Sequence, residues 1–146
     1  MRTRQDIDKA RIIATGNSGG GTATLFLAAM DERVAAAVPS SYFCTFADST
    51  LAIHHCPCNY VPDLNLYGEM DDVAGLIAPR PLLIVNGKDD PIFPIEPTRR
   101  AFARLARIYE AAGATDRLEM YEGDGGHRYY SARVWPFLAE KLDCPT

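Results

Sequence analysis

The chain has 146 residues, of which 47% are hydrophobic and 23% are charged, and its formal net charge is −4. This composition is typical of one globular domain, and the acidic balance excludes a basic surface for nucleic acid. No apolar run approaches the roughly 20 residues of a membrane span, and the polar N-terminus lacks an apolar signal-peptide core. We therefore expect neither nucleic acid nor a membrane as partner. The location is cytoplasmic if the chain is complete, whereas an N-terminally truncated chain is compatible with secretion.

The first apolar run leads into a glycine-rich corner, which predicts a strand, a tight turn and a helix. Residues 11–15 are of β type, residues 16–20 read GNSGG, and an Ala/Leu-rich stretch of helix length follows to Met30. The pattern G-x-S-x-G is typical of a nucleophile elbow, in which a strained turn presents a serine. Ser18 is the candidate nucleophile. The N–H of Gly19, at the positive end of the helix, is a candidate oxyanion donor.

This corner has two other interpretations. Gly16 and Gly21 have the spacing of a phosphate-binding loop, but Thr22 occupies the position of the lysine that such a loop requires. Glycines can also serve only the packing of a helix against a strand. The elbow interpretation therefore depends on finding a base and an acid farther along the chain.

The remaining patterns alternate between strands and helices, with one irregular segment between them. A second buried strand is predicted at 34–38 and is expected to end at Pro39. Residues 40–70 lose periodicity and are interpreted as a lid-like insertion, or more simply as a surface insertion. The further predicted elements are a helix at 71–77, a strand at 81–86, a helix at 98–112 with Arg99, Arg100, Arg104 and Arg107 on a solvated face, a strand at 117–121, and a helix from Ser131 to Leu142.

The order β-α-β-(insertion)-β-α-β-α predicts the α/β class, with a mostly parallel sheet and flanking helices. Three chemically active residue types follow predicted strands at their C-terminal ends: Ser18, an aspartate at 89 or 90, and His127. Those ends meet at one edge of a parallel sheet, so the side chains can converge. The chain order Ser, Asp, His predicts a Ser-His-Asp triad. Asp90 is the favoured acid, with Asp89 or Asp124 as a solvated neighbour.

A second cluster of reactive residue types lies within the irregular segment. His54, His55, Cys56 and Cys58 are possible zinc ligands by type, but no second pair stands at a recognised spacing. A local disulfide that involves Cys44 is about as plausible, and Cys144 stands far from the other three cysteines. We expect no metal and no cofactor.

The motifs also resemble a known family. The elbow at 16–20, the stretch APRPLLIVNGKDD at 78–90 and GGHRY at 125–129 are similar to the elbow, acid loop and histidine loop of the α/β-hydrolases. The chain resembles the C-terminal half of an acetyl xylan esterase or dienelactone-hydrolase-like enzyme. The resemblance implies Ser18, Asp90 and His127 as the triad, and a serine nucleophile favours the esterase side of that branch.

Members of this family begin with further strands and with a loop that supplies a second oxyanion donor, neither of which precedes Arg11. We therefore expect a single, partial domain over 1–146 that lacks the N-terminal strands, or a homodimer that covers the exposed sheet edge. The expected function is hydrolysis of carboxylic esters, of the acetyl-ester type, on a small-molecule or carbohydrate substrate. The alternatives are a prolyl-oligopeptidase-like serine peptidase and a catalytically inactive fragment that acts as a binding module.

Overall fold

The computed structural model describes residues 4–142, apart from the side chain of Cys58. Within this range, four parallel strands form one sheet and lie side by side in chain order. They are β1 (Ile13–Asn17), β2 (Ala36–Ser40), β3 (Leu82–Gly87) and β4 (Leu118–Gly123). Asn17 pairs with Ser40, and Gly87 pairs with Gly123, so the C-terminal ends of the strands meet at one edge.

The helices connect and cover these strands as the sequence predicts. They are α1 (Gly19–Met30), α2 (Leu64–Tyr67), α3 (Met70–Gly75), α4 (Ile95–Ala111) and α5 (Val134–Leu142), with short 3₁₀ turns at Pro57–Asn59 and Thr115–Arg117. The predicted order of elements is confirmed. None of these helices is both long enough and apolar enough to cross a bilayer, a finding that covers residues 4–142.

Alternate residues of β3 belong to two separate cores. Leu82 and Ile84 pack with the core that contains α1, α3 and α4, whereas Leu83 and Val85 pack with α5 on the opposite face. A strand covered on both faces must be apolar at successive positions. This burial explains the continuous apolar run at 82–85.

The prediction that Pro39 ends the second strand is wrong, because Pro39 lies inside β2. Ala37 N–H donates to Pro81 O at 3.0 Å and Ser41 N–H donates to Val85 O at 2.7 Å, so alternate N–H groups point at β3. Pro39 stands between them and has no N–H. The β2–β3 register accordingly has partners at Ala37 and Ser40 only. The strand continues because β1 still pairs with Pro39 through Gly16.

The four arginines of α4 are exposed, which confirms the predicted solvated face, and three of them also form ion pairs. Arg99 binds Glu122 at 2.7 Å, Arg100 binds Asp48 at 2.8 Å and Arg104 binds Asp71 at 2.8 Å. The Arg99 guanidinium holds the pKa of Glu122 below its usual value. The acidic partners lie in β4, in the irregular segment and in α3, so these ion pairs connect α4 to three other parts of the fold.

The last helix begins at Val134 and not at the predicted Ser131. Val134 N–H donates to Ser131 O at 3.0 Å, which is the i to i+3 hydrogen bond of a 3₁₀-type turn and not an α-helical bond. Residues 131–133 therefore form a turn that leads into α5.

Arg80 joins the end of α1 to the start of β3. Its guanidinium donates to the carbonyl oxygens of Ala28 (2.7 Å), Asp31 (3.1 Å) and Val34 (2.8 Å). Carbonyls at the end of a helix lack intrahelical donors, and a cation there is favourable. Tyr109 in turn donates to Arg80 O at 2.8 Å, and burial raises the pKa of Tyr109 well above its usual value.

Glu69 closes the base of the irregular segment between β2 and α3. Its carboxylate accepts from Phe46 N–H at 2.8 Å and from Met70 N–H, the first residue of α3, at 3.1 Å. The Asp72 carboxylate accepts from Glu69 N–H at 2.8 Å, which completes a capping box. One carboxylate thus holds both ends of the stretch from Phe46 to Glu69.

Candidate active site

Ser18 stands between β1 and α1 with a backbone conformation that is unusual for a residue with a side chain. Its φ is 55° and its ψ is −118°, and its N–H donates to Ser40 O at the end of β2, at 2.9 Å. A Cβ atom at Gly16 would lie 2.5 Å from the backbone of Gly20, so the turn needs glycine there. A strained, half-exposed serine on such a turn matches the geometry of a nucleophile elbow.

Gly19 is the first residue of α1, directly after Ser18. N–H groups in the first turn of a helix have no intrahelical acceptor, and the helix dipole favours negative charge beside them. A Cβ atom at Gly19 or Gly20 would meet no heavy atom within 4 Å, so the space beside this turn is open. An oxyanion could approach the helix N-terminus there.

Asp90 is buried, with 3% of its surface exposed, and each of its two carboxylate oxygens is engaged. Oδ1 accepts from the N–H groups of Ile92 (2.9 Å) and Phe93 (3.2 Å). Oδ2 lies 2.8 Å from Nδ1 of His127. This carboxylate is therefore oriented by its own loop and holds one ring nitrogen of the histidine.

The two loops that carry Asp90 and His127 are in direct backbone contact. Lys88 N–H donates to Gly123 O and Asp89 N–H donates to Gly125 O, both at 2.9 Å. A Cβ atom at Gly87 would lie 2.3 Å from Gly126 O, so the loops can approach this closely only because residue 87 is glycine. Their separation is set by the main chain.

The end of β2 connects the elbow to the histidine loop. Ser40 O accepts the Ser18 N–H, and the next residue, Ser41, donates its hydroxyl hydrogen to Arg128 O at 3.1 Å. Ser41 is fully buried and has a φ of 47°. Among the residues that the structure describes, the Ser18 hydroxyl makes no hydrogen bond to His127. The structure thus brings Asp90 and His127 into contact and places Ser18 at the same sheet edge.

The two other candidate acids are exposed and, within residues 4–142, make no hydrogen bond to His127. Asp89 is exposed, and Asp124 forms a salt bridge with Lys88 at 2.7 Å while 93% of its side chain is exposed. The Lys88 ammonium holds the pKa of Asp124 below its usual value. The carboxylate in contact with His127 is that of Asp90.

His127 has an aromatic neighbour, Phe93, that no sequence motif predicts. The ring of Phe93 stacks on His127 with centroids 5.9 Å apart, and His55 lies on Phe93 at 5.7 Å. The Nε2 atom of His55 is buried and has no hydrogen-bond partner within the described part of the chain. The motifs predict neither Phe93 nor Ser41. Of the two, only Ser41 has a signal in the sequence, namely its position at the end of a strand.

The cysteine-containing cluster shows no metal geometry in the part of the chain that is described. No group of three His, Cys, Asp or Glu side chains converges within residues 4–142, the side chain of Cys58 aside. Cys44 is a buried free thiol whose Sγ lies 3.8 Å from Pro94 O, which contradicts the disulfide considered for it. The side chain of Cys58, and Cys144, lie outside the described residues.

Comparison with known proteins gives consistent results. The sequence matches the model of the prolyl oligopeptidase family over residues 1–142. A protein of Bacillus subtilis (strain 168) named "Putative hydrolase YtaP" is 30% identical over 133 residues, which are 87% of this chain and 44% of that protein.

Two solved structures show the same architecture. Methylesterase BT1017 is 31% identical and has a TM-score of 0.76, over 97% of this chain and 32% of that chain. A glucuronoyl esterase of carbohydrate esterase family 15 from Caldicellulosiruptor kristjansonii has a TM-score of 0.78, over 99% of this chain and 46% of that chain. Its identity is 24%, so this second likeness concerns the fold alone.

This chain spans less than half the length of each of these three relatives. The family model nevertheless covers nearly all of it, and the parallel sheet with flanking helices agrees with the predicted α/β-hydrolase fold. The chain belongs to the prolyl oligopeptidase family of α/β-hydrolases.

Proposed function

We propose that this chain carries the catalytic residues of a serine hydrolase that cleaves carboxylic esters. Ser18 is the nucleophile, His127 the general base and Asp90 the residue that orients the imidazole. The observation that carries this proposal is the 2.8 Å contact between Asp90 Oδ2 and His127 Nδ1, at the sheet edge where the elbow presents Ser18.

In the first half of the reaction, Ser18 Oγ attacks the ester carbonyl and His127 Nε2 takes the hydroxyl proton. Asp90 accepts the Nδ1–H, which leaves Nε2 as the basic nitrogen and stabilises the imidazolium that forms. The carbonyl oxygen becomes an oxyanion beside the Gly19 N–H. The tetrahedral intermediate then collapses, His127 returns the proton to the departing alcohol, and an acyl group remains on Ser18.

In the second half, water attacks the acyl-enzyme and His127 takes a proton from it. Collapse of the second intermediate breaks the bond between the acyl carbon and Ser18 Oγ, which regains its proton from His127. The products are a carboxylic acid and an alcohol, and the chain returns to its starting state. No metal or cofactor has a role in these steps.

The substrate class is inferred from one relative and from the sequence motifs. The relative at 31% identity carries the name methylesterase, which supports ester cleavage. The acetyl-ester type, on a small molecule or a carbohydrate, rests on the resemblance of the motifs to acetyl xylan esterases. The family match favours a second candidate, cleavage of a peptide bond through the same residues. Comparing turnover of a 4-nitrophenyl acetate with that of a matched acyl 4-nitroanilide separates the two, because one is an ester and the other an amide.

Labelling with a fluorophosphonate tests the proposal, because this probe phosphonylates activated serines. Peptide mapping by mass spectrometry should find the adduct on Ser18, and the Ser18→Ala variant should be neither labelled nor active. Ser131→Ala is the matched control: Ser131 is exposed and stands in the turn before α5, and its loss should leave labelling unchanged. An equally labelled or equally active Ser18→Ala variant would refute the proposal. A folded chain that is never labelled would favour the binding-module alternative.

A further inference from the structure

A cavity of about 170 Å³ lies within the irregular segment, and we name it the 46–65 pocket after the residues that line it. Its walls are mainly apolar and come from Phe46, Leu51, Tyr60, Val61 and Leu64. Asn65 lies at its exposed rim on α2. Every lining residue belongs to the stretch between β2 and α3, and the sheet contributes none.

The size and chemistry of these walls restrict what can occupy the pocket. None of the lining residues is charged, so an ionised group would lose its hydration without gaining a partner. An apolar cavity of roughly 150 Å³ is large enough to take up benzene. The 46–65 pocket therefore fits an uncharged, apolar group of about the size of a six-membered ring.

The first connection from this pocket to the proposed catalytic residues runs through the elbow helix. Asn59 lines the pocket, and its Oδ1 accepts the hydroxyl hydrogen of Thr22 at 3.2 Å. Thr22 lies in the first turn of α1, and its N–H donates to Ser18 O at 2.9 Å. One wall of the pocket is thus fastened to the turn that carries Ser18.

The second connection runs through the aromatic rings. The hydroxyl of Tyr60, which also lines the pocket, accepts His55 N–H at 2.9 Å. His55 lies on Phe93, and Phe93 stacks on His127. The segment that lines the pocket therefore contacts the surroundings of both Ser18 and His127.

We propose that the 46–65 pocket is a subsite that binds an uncharged, ring-sized apolar group of the ester substrate. This inference rests on the proposed function, since it assigns part of the substrate of the same site. Such a group could be carried on either side of the ester bond, as the acyl part or as the alcohol part.

Two series of esters show whether the ring that enters the pocket belongs to the acyl part or to the alcohol part. The acyl series compares 4-nitrophenyl phenylacetate with 4-nitrophenyl acetate, and the alcohol series compares benzyl acetate with methyl acetate. Burial of a phenyl ring should raise kcat/KM about tenfold or more in the series whose ring enters the pocket, after correction for the intrinsic reactivity of each ester with hydroxide. Absence of a ring preference in both series would overturn the inference.

Filling the pocket is the second part of the test. Asn65→Trp places an indole at the rim and should reduce the ring preference to near unity. Leu66→Trp introduces the same side chain on the next residue, which is 74% exposed and outside the pocket, and should keep the preference. Persistence of the ring preference in Asn65→Trp would overturn the inference.

Binding of benzyl alcohol, followed by ligand-observed NMR, separates failure of the subsite from failure of the proposed function. Binding needs no turnover, so it should persist in Ser18→Ala and weaken in Asn65→Trp. If Ser18 proves dispensable for hydrolysis while this pattern holds, the proposed function fails and the pocket stands. If hydrolysis depends on Ser18 while benzyl alcohol does not bind the pocket, the subsite alone fails.

Discussion

Replacement of Asp90 by asparagine separates the effect of this residue on catalysis from its effect on stability. The carboxylate accepts three hydrogen bonds, two from the N–H groups of Ile92 and Phe93 and one from His127. An asparagine can keep its oxygen at the two N–H groups of its own loop. Its NH₂ group then faces Nδ1 of His127, which must become the acceptor.

This exchange of donor and acceptor determines the expected changes in the free energy of unfolding and in kcat. The number of hydrogen bonds is kept, so the free energy of unfolding should change by no more than about 1 kcal/mol. The imidazole, however, is held with its hydrogen on Nε2, the nitrogen that must take the Ser18 proton. The equivalent change in serine proteases lowers kcat about 10⁴-fold, which corresponds to about 5 kcal/mol in the barrier.

Hydrolysis of 4-nitrophenyl acetate and urea unfolding should be measured on the same preparations. Asp89→Asn is the matched control, because the Asp89 side chain is exposed and the hydrogen bond of this residue to the histidine loop comes from its main-chain N–H; it should keep nearly full activity. A folded Asp90→Asn variant with kcat/KM within tenfold of the unsubstituted chain would refute the role assigned to Asp90.

Two further predictions concern the buried structure. Arg80→Leu should lower the free energy of unfolding in urea by about 2–3 kcal/mol, because it removes charged donors from three carbonyls; exposed Arg107→Leu is the control, and an equal, small loss in both would contradict it. Burial raises the pKa of the Cys44 thiol, so iodoacetamide at pH 8 should modify Cys44 only after unfolding. Peptide mapping would disprove this if native and unfolded chains were modified equally fast.

Much of the fold could be predicted because the burial of each strand or helix determines the pattern of apolar residues along that element. The apolar run at 82–85 indicates a strand covered on both faces, and the structure places it between two cores. The prediction that Pro39 ends β2 was wrong, since it took account of the missing N–H but not of the intact pairing with β1. The ion pairs of α4 could not be predicted, because their acidic partners lie 23 to 52 residues away.

The site divides in the same way. Ser18, Asp90 and His127 could be selected because each follows a strand and the ends of parallel strands share an edge. The contact of Asp90 with His127 is present in the structure, and the catalytic role of the three residues stays a prediction. The ring of Phe93 stacks on His127, and the Ser41 hydroxyl donates to Arg128 O in the histidine loop; no motif predicts either contact. Such contacts depend on how loops fold over one another, which local periodicity does not encode.

The hydrogen bonds that the Glu69 carboxylate accepts from Phe46 and Met70 have a consequence for how this domain could acquire new substrates. A single carboxylate ties Phe46 to the start of α3, so the stretch between them leaves and re-enters the fold at nearly one point. Such a loop can change in length or sequence at little cost in closure entropy. Two contacts of the stretch limit such a change: Asn59 accepts a hydrogen bond from Thr22 in α1, and His55 packs on Phe93, the neighbour of His127. A graft between Phe46 and Glu69 that keeps these two residues could therefore change specificity while leaving the catalytic framework in place.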